Sequence, residues 1–297
     1  MYPIKQLKKT FNKLFQKDEL NQKLEELKIL NSKILINQNK QKKSKNINDH
    51  EFSVFSQFGE DGIIQFLINS LENVPKTFVE FGVENYIESN TRFLLTNNNW
   101  KGLVLDADQE NINQIKESYY FWKYGLTAEN KFINIENINE ILYNYLKNDD
   151  LGILSIDIDG NDYWILEKIN LAKFKPVFII CEYNSLLGKE NSITIPYNKN
   201  FIRKLSSHEK FYYGASIKAI CNLADKKGYS LLGSNSNGNN LFFVNKNYSE
   251  YFDIKTFDEA YVQNSFKEYL NLDFNEAQKL LKDKVFFDVK AQKLINF

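Results

Sequence analysis

The stretch Phe78-Val-Glu-Phe-Gly-Val-Glu84 decides how this 297-residue chain is interpreted. Its apolar run delivers a glycine and two carboxylates to the predicted C-terminal end of a strand. A second apolar run, Gly102-Leu-Val-Leu-Asp106, ends on an acid 26 residues after Glu80. Rossmann-like folds use an acid one strand later to hold ribose hydroxyls, and a glycine at such a turn lets backbone approach a ligand. The two runs together predict a site for a nucleoside-type ligand.

The segments around these runs alternate between helical and extended patterns. Near-continuous apolar strands such as Val177-Phe-Ile-Ile-Cys181 are typical of a parallel sheet that is covered on both faces. The predicted strands are 77–81, 102–107, 131–135, 153–158, 177–181 and an antiparallel pair, 229–232 and 241–244. The predicted helices are 62–71, 90–96, 111–119, 138–146, 163–169 and 215–227. This alternation predicts an α/β fold, Rossmann-like, with a seven-stranded doubly wound sheet.

Charge is unevenly distributed, although the formal net charge is zero. Residues 1–46 hold twelve lysines and four acids, a net of +8, so the remainder carries −8. An acidic body argues against nucleic-acid binding. Residues 1–38 predict a basic amphipathic helix, for which two roles stay open: packing on the body or on a second copy as a homodimer, or peripheral contact with an anionic membrane surface.

The remaining organisation follows from composition. Residues 39–50 predict a linker, residues 51–248 the main domain and residues 249–297 a C-terminal helical extension. Two cysteines, Cys181 and Cys221, argue against a disulfide framework and for a reducing compartment. No signal peptide and no run of about 20 apolar residues is recognised. We therefore expect a cytoplasmic protein, with the inner membrane face as an alternative location.

Six motifs in order carry a resemblance to a known family. They are Ser56-Gln-Phe-Gly-Glu-Asp61, FVEFGVENYIESNTRFLL, NWKGLVLDAD, SIDIDGNDYWIL, CEYN and YYGAS. Together, over residues 52–245, they resemble the FkbM-like, S-adenosylmethionine-dependent methyltransferases. The resemblance implies a class I methyltransferase fold. It also implies O-methylation of a sugar or small-molecule hydroxyl, with surface polysaccharide biosynthesis as the expected setting.

The resemblance also places the cofactor. Gly82 would allow close approach of the methionine part, and Asp106 would accept both ribose hydroxyls. The full set of residues implied at the cofactor is Gln57, Asp61, Glu80, Gly82, Asp106, Glu136, Asn137 and Asp157, with Glu136 and Asn137 at the adenine edge. The loop has one glycine where the family often has two. The chain also lacks a Gly-x-Gly-x-x-Gly motif, which disfavours cofactors bound through a pyrophosphate.

Candidate catalytic residues follow two later strands. Asp159 and Glu182 come after neighbouring strands, and His208 lies in a predicted lid just before a helix. Methyl transfer to a hydroxyl needs a group that takes the proton. Either a carboxylate or His208 does so, or Asp157, Asp159 and Glu182 hold a divalent ion such as Mg²⁺ that acidifies the hydroxyl.

Two rival functions stay open at this point. A non-catalytic relative of these enzymes would keep the fold and act as an assembly or binding subunit. An NAD-dependent sugar-modifying enzyme with an atypical loop is the other rival, and the missing glycine motif counts against it.

Overall fold

A computed structural model describes residues 2–205, 211–264 and 272–297, with side chains described from Leu20 onward. The chain divides into two compact units, Met1–Lys43 and Ser44–Phe297. The first unit is formed by one long helix, α1 (Tyr2–Gln41). Its apolar residues Leu20, Leu24, Leu27 and Ile34, spaced three, four and seven apart, are 48–57% exposed.

The second unit carries every strand that the described residues contain. Its helices are α2 (Glu60–Asn69), α3 (Arg92–Asn98), α4 (Gln109–Glu117), α5 (Tyr119–Lys123), α6 (Ile138–Leu146), α7 (Asp162–Lys168), α8 (Leu171–Phe174), α9 (Ile217–Lys226), α10 (Phe257–Ala260) and α11 (Phe274–Lys279). Its strands are β1 (Thr77–Phe81), β2 (Lys101–Asp106), β3 (Leu126–Asn130), β4 (Ile153–Ile156), β5 (Phe178–Glu182), β6 (Ile193–Thr194), β7 (Tyr229–Ser234), β8 (Asn240–Asn245), β9 (Val285–Asp288) and β10 (Lys293–Asn296).

Seven strands form one sheet in the order β3-β2-β1-β4-β5-β8-β7. The first five in that order are parallel, and β8 runs antiparallel to both β5 and β7. Chain direction therefore brings the C-terminal ends of β1, β2, β4 and β5 to one edge. In open α/β sheets ligands bind outside that edge, beside the point where strand order reverses, which here lies between β1 and β4. The predicted seven-stranded doubly wound fold is confirmed.

Both faces of this sheet are buried. One face packs on α6, α7 and α9 through residues such as Leu154, Leu166 and Ile220. The other packs on α2, α3 and α4 through residues such as Phe78 and Ile63. All five residues of β1 are buried, which accounts for its unbroken apolar run apart from Glu80.

The predicted third strand was wrong by about five residues. The strand is Leu126–Asn130, whereas residues 131–135 form a loop after it. The segment Lys131-Phe-Ile-Asn-Ile135 has the stronger strand pattern. The observed strand is instead an edge strand, where polar residues such as Glu129 and Asn130 are exposed to water. This shift matters because it moves the strand end that faces a ligand.

The segments flanking the main domain also differ from expectation. Residues 249–297 are not wholly helical, because β9 and β10 join β6 in a separate three-stranded sheet. The predicted linker is in part structured: α1 continues to Gln41, and Ile47–His50 form a 3₁₀ turn in which Ile47 and His50 are buried. No helix in the described parts of the chain is long and apolar enough to cross a membrane.

Candidate active site

Two cavities lie at the sheet edge where β1, β2, β4 and β5 end. The larger, about 550 Å³, has walls formed after β1, β2 and β4. The smaller, about 220 Å³, is enclosed by the ends of β1, β4 and β5 and by the start of β8. Gly82, Asp157 and Asp159 lie in the walls of both cavities. The cavities therefore adjoin, and we name them the larger and the smaller cavity.

Gly82 sets the distance between β1 and β4 at the shared wall. Its φ is +72°, and a Cβ built there would lie 1.6 Å from the carbonyl oxygen of Asp157. No L side chain fits that position without moving the backbone of one strand end. The glycine thus lets the two loops come together beneath both cavities.

Asp106 ends β2 in the wall of the larger cavity and is half-buried. One carboxylate oxygen accepts the backbone N–H of Glu84 at 2.8 Å, and the other accepts the N–H of Asp108 at 2.8 Å. These bonds fix the carboxylate. The oxygen bonded to Asp108 also accepts from the side-chain amide of Asn111 at 3.1 Å, so the oxygen bonded to Glu84 is the one that keeps a further lone pair for a ribose hydroxyl.

The loop after β3 supplies the apolar part of the larger cavity. Phe132 and Ile133 line it, together with Leu105 and Ile158. An apolar surface in the same cavity as a fixed acid suits the adenine and ribose of a nucleoside. The cavity volume also lies within the range of about 300–1,000 Å³ that small-molecule sites usually have.

Glu80 occupies the position where a phosphate-binding fold would hold an anion. This buried side chain accepts the backbone N–H groups of Asn90 (2.8 Å) and Thr91 (3.1 Å) and the Thr91 hydroxyl (2.5 Å), just before α3. These are the donors that a pyrophosphate would otherwise use. The carboxylate of Glu80 occupies these donors. The site therefore fits a cofactor without a phosphate group, such as S-adenosylmethionine.

Burial raises the pKa of Glu80 to about 7, although its hydrogen bonds act in the opposite direction. Glu80 also reaches the smaller cavity. The observed hydrogen bonds of Glu80 are to its own loop, at Asn90 and Thr91.

Asp61 and Gln57 differ in position. Gln57 lines the smaller cavity, whereas Asp61 lines neither cavity. One oxygen of the buried Asp61 accepts the N–H groups of Val54, Phe55 and Ser56 at 2.7–2.8 Å. Asp61 therefore fixes the backbone of the loop that precedes α2. Its neighbour Glu60 faces the smaller cavity and accepts amide hydrogens from Asn235 and Asn240.

Asp157 and Glu182 form a carboxyl pair at the floor of the smaller cavity. Their nearest oxygens, with one of Asp159, lie within 4.8 Å of one another. Burial is the main cause that raises the pKa of both groups well above the ordinary range, and neighbouring acids raise it further. Two carboxyls this close do not both ionise readily, so they can share a proton.

The loop between β4 and α7 is held by Asp162. Its two oxygens accept the N–H groups of Ile158 and Gly160, each at 2.8 Å. Within this loop Asp159 has a φ of +56°, and a Cβ on Gly160 would lie 2.3 Å from the Phe201 ring. The resulting tight turn presents Asp159 to both cavities.

Arg203 is the basic residue that meets the acid cluster. It lines both cavities, forms an ion pair with Asp159, and places its guanidinium 3.7 Å from the centre of the Tyr213 ring. Its side chain is only 16% exposed. Arg203 thereby offsets part of the negative charge at the shared wall.

Three residues predicted at the cofactor line neither cavity: Asp61, as described above, Glu136 and Asn137. Glu136 pairs with Lys199, and Asn137 bonds to the backbone of Phe132 and Asn134. Glu136 and Asn137 were predicted at the end of the third strand. That strand ends at Asn130, so residues 131–133, and not Glu136 and Asn137, follow it in the wall of the larger cavity. His208 lies outside the described residues. Tyr213 lines the smaller cavity. Tyr212 does not, and its hydroxyl donates to the backbone carbonyl of Val285.

Sequence reasoning missed several residues in these walls: Glu60, Glu84, Glu88, Phe132, Arg203, Asn239 and Asn240. One signal could have found Arg203. The chain has only two arginines among 38 basic residues, so the use of arginine rather than lysine at position 203 indicates a specific role for its guanidinium group. Asn239 ends the turn-rich segment before β8 and Asn240 begins β8; neither stands out in a segment that is rich in asparagine.

Comparison with known proteins agrees with this geometry. A family model for the FkbM methyltransferase domain matches residues 31–231, about two thirds of the chain. No curated protein matches the sequence.

Solved structures with a similar arrangement are remote in sequence. The N-terminal domain of EvdMO1 with S-adenosylhomocysteine bound has 10% identity and a TM-score of 0.41, covering 63% of this chain and 80% of that one. A sarcosine dimethylglycine methyltransferase from Galdieria sulphuraria has 12% identity and a TM-score of 0.37, covering 58% and 62%. The methyltransferase CalO6 has 12% identity and a TM-score of 0.36, covering 60% of each chain.

The family match runs to the first residues of β7 and includes β1, β2, β4 and β5, whose ends line the two cavities, but not β8. These four strands belong to the seven-stranded sheet, and Glu80 occupies the backbone N–H groups of Asn90 and Thr91 before α3. The chain belongs to the FkbM methyltransferase family and is an S-adenosylmethionine-dependent methyltransferase.

Proposed function

We propose that this enzyme transfers a methyl group to a hydroxyl of a sugar or another polar small molecule. The observation that supports the proposal is the pair of adjoining cavities, which share Gly82, Asp157 and Asp159. The larger one suits the nucleoside of the cofactor, and the smaller one is polar. When bound, S-adenosylmethionine supplies an electrophilic methyl group on a sulfonium. An acceptor in the smaller cavity would then reach that methyl group across the shared wall.

In this proposal the chain's own residues bind and orient the two partners. Asp106 holds the ribose, and Phe132 and Ile133 cover the base. Glu80 fixes the loop after β1, and Gly82 allows the ends of β1 and β4 to lie close together between the two cavities. The acceptor hydroxyl is placed near the floor carboxyls.

The proton of the acceptor hydroxyl passes to the carboxyl cluster, with Glu182 or Asp159 as the acceptor. Burial and the neighbouring acids raise the pKa of Asp157 and Glu182, and a carboxylate with a raised pKa is a stronger base. A divalent ion held by Asp157, Asp159 and Glu182 is the alternative. Arg203 already neutralises part of that cluster, which favours proton transfer to a carboxylate over metal binding.

Three variants test this assignment: Glu182→Gln, Asp159→Asn and His208→Ala. The loss of a general base lowers turnover by about 10²–10⁴-fold. We expect such a loss for at least one of the carboxylate variants, with S-adenosylhomocysteine binding retained. The metal alternative is tested by assaying the unaltered enzyme with EDTA and then with added Mg²⁺. Activity that is lost with EDTA and restored by Mg²⁺ would support it. Near-normal turnover of all three variants would contradict the assignment.

We further propose that the enzyme acts on surface polysaccharides or their precursors at the cytoplasmic side of a membrane. The lysine-rich residues 1–38 and the exposed apolar residues of α1 support contact with anionic lipid. Sedimentation with phosphatidylserine-containing vesicles, compared with a chain lacking residues 1–43, tests this. Equal sedimentation of the two proteins would contradict it, and a shift in oligomeric state on deletion would favour a homodimer instead.

A further inference from the structure

The smaller cavity has an unusual balance of charge. Among the described residues that line it, seven are acids and one, Arg203, is basic. Arg203 is paired with Asp159 and stacked on Tyr213. Glu60 and Glu80 accept hydrogen bonds from the protein itself. The other acids lie either at the exposed rim, as Glu84 and Glu88 do, or in the cluster of Asp157, Asp159 and Glu182.

The amide groups of the cavity add acceptors to this acidic lining. The side-chain NH₂ of Asn90 donates one hydrogen bond to Ser155, and that of Asn240 donates one to Glu60, so half of their donor capacity is already used. Asn240 Oδ1 and Glu182 Oε2 have no hydrogen-bond partner among the described residues, although Asn240 is 4% and Glu182 is 7% exposed. Buried polar atoms without protein partners are rare, and a bound group or an ordered water supplies the missing donors.

An occupant of this cavity must therefore donate hydrogen bonds and avoid negative charge. A phosphate or carboxylate would face several acids and has no donor to offer. A protonated amine offers three donors, no acceptor and a positive charge. The volume of about 220 Å³ is suited to one monosaccharide-sized group rather than to a sugar attached to a nucleotide diphosphate.

We propose that the acceptor carries a protonated amine beside the hydroxyl that is methylated, as an amino sugar does, and that the smaller cavity selects for this charge. The inference rests on the proposed O-methylation. The rim acids Glu84 and Glu88 attract the ammonium group, and the floor of the cavity receives the hydroxyl. A nucleotide-linked or uronic-acid acceptor is excluded by charge.

The test measures binding of three sugars of similar size to the full-length protein saturated with S-adenosylhomocysteine. The probes are glucosamine, glucose and glucuronate, titrated in a calorimeter at a slightly acidic pH that keeps the amine protonated. We expect glucosamine to bind at least about 10-fold more tightly than glucose, and glucuronate to bind most weakly. The preference for glucosamine should shrink as salt is added, because exposed charges are screened.

Glu88 provides the variant, because it is exposed and lines only the smaller cavity. Glu88→Gln should reduce the glucosamine preference several-fold, and Glu88→Lys should reduce it further. Glu117→Gln is the matched control: this acid on α4 is exposed and lines neither cavity, so the preference should be unchanged. Retained S-adenosylhomocysteine binding shows that each variant is folded.

The outcomes separate this inference from the proposed function. Tighter binding of glucuronate, equal binding of all three sugars or binding of none would overturn the inference. O-methylation is tested separately, by transfer of labelled methyl from S-adenosylmethionine to hydroxyl acceptors and by locating the label in the product. Methylation of an acidic sugar would overturn the inference and leave O-methylation standing, whereas label found only on nitrogen or carbon would overturn O-methylation.

Discussion

Asp106 is the residue on which cofactor affinity should depend most directly. Its carboxylate is fixed by two backbone N–H groups and faces the larger cavity. Hydrogen bonds to a charged group contribute about 1.5–3 kcal/mol, so Asp106→Ala should weaken S-adenosylhomocysteine binding by about 10–100-fold. Calorimetry measures this. Glu136→Gln is the control, since Glu136 lies outside both cavities, and an equal loss in the two variants would contradict the assignment of Asp106.

Gly82 should be intolerant of any side chain. In Gly82→Ala the new Cβ would meet the Asp157 carbonyl at 1.6 Å, so β1 and β4 must separate at the shared wall. We expect destabilisation of about 2–4 kcal/mol, measured by urea unfolding, because the strain adds to the clash. Gly228→Ala is the comparison: its φ of +89° is also positive, but a Cβ there meets no atom within 4 Å. Similar losses of stability in Gly82→Ala and Gly228→Ala would show that backbone strain, and not the clash with Asp157, accounts for the destabilisation.

At the scale of elements, the loop between β1 and α3 depends on Glu80. The folded-state pKa of Glu80, about 7, lies above the ordinary value of 4.5 because burial penalises the charged form. Between these values the folded state holds a proton that the unfolded state lacks. The contribution of Glu80 to stability is therefore fully present below pH 4.5 and is lost as the pH rises through 7, by up to about 3 kcal/mol.

Glu80→Gln removes this titration and keeps the shape of the side chain. Urea unfolding of both proteins at pH 5 and pH 8 should show that the stability advantage of the unaltered chain over the variant is larger at pH 5. Asp162, whose pKa is also raised to about 6, titrates in both proteins and cancels in the difference. Parallel stability profiles would refute the assigned pKa direction.

The elements also show how far sequence alone reaches. Buried strands such as β1 and β4 are mostly apolar, so their positions and the acids that follow them were predictable. The edge strand β3 was not, because water on one side lets it carry Glu129 and Asn130, while the loop after it carries the apolar Phe132 and Ile133. Arg203 was missed because its partner Asp159 is 44 residues away, a contact that no local pattern encodes.

At the scale of the whole molecule, both cavities belong to the unit Ser44–Phe297. The unit has its own buried cores on the two faces of the sheet, as an independently folding domain requires. We therefore expect a chain that begins at Ser44 to bind S-adenosylhomocysteine with an affinity within about 2-fold of the full-length protein, since less than about 0.4 kcal/mol separates them. Calorimetry of the two chains, with thermal unfolding to show that the shorter one is folded, makes the comparison. A folded chain that has lost cofactor binding would show that Met1–Lys43 contributes to the site, and α1 would then have a role beyond the membrane or dimer contact proposed for it.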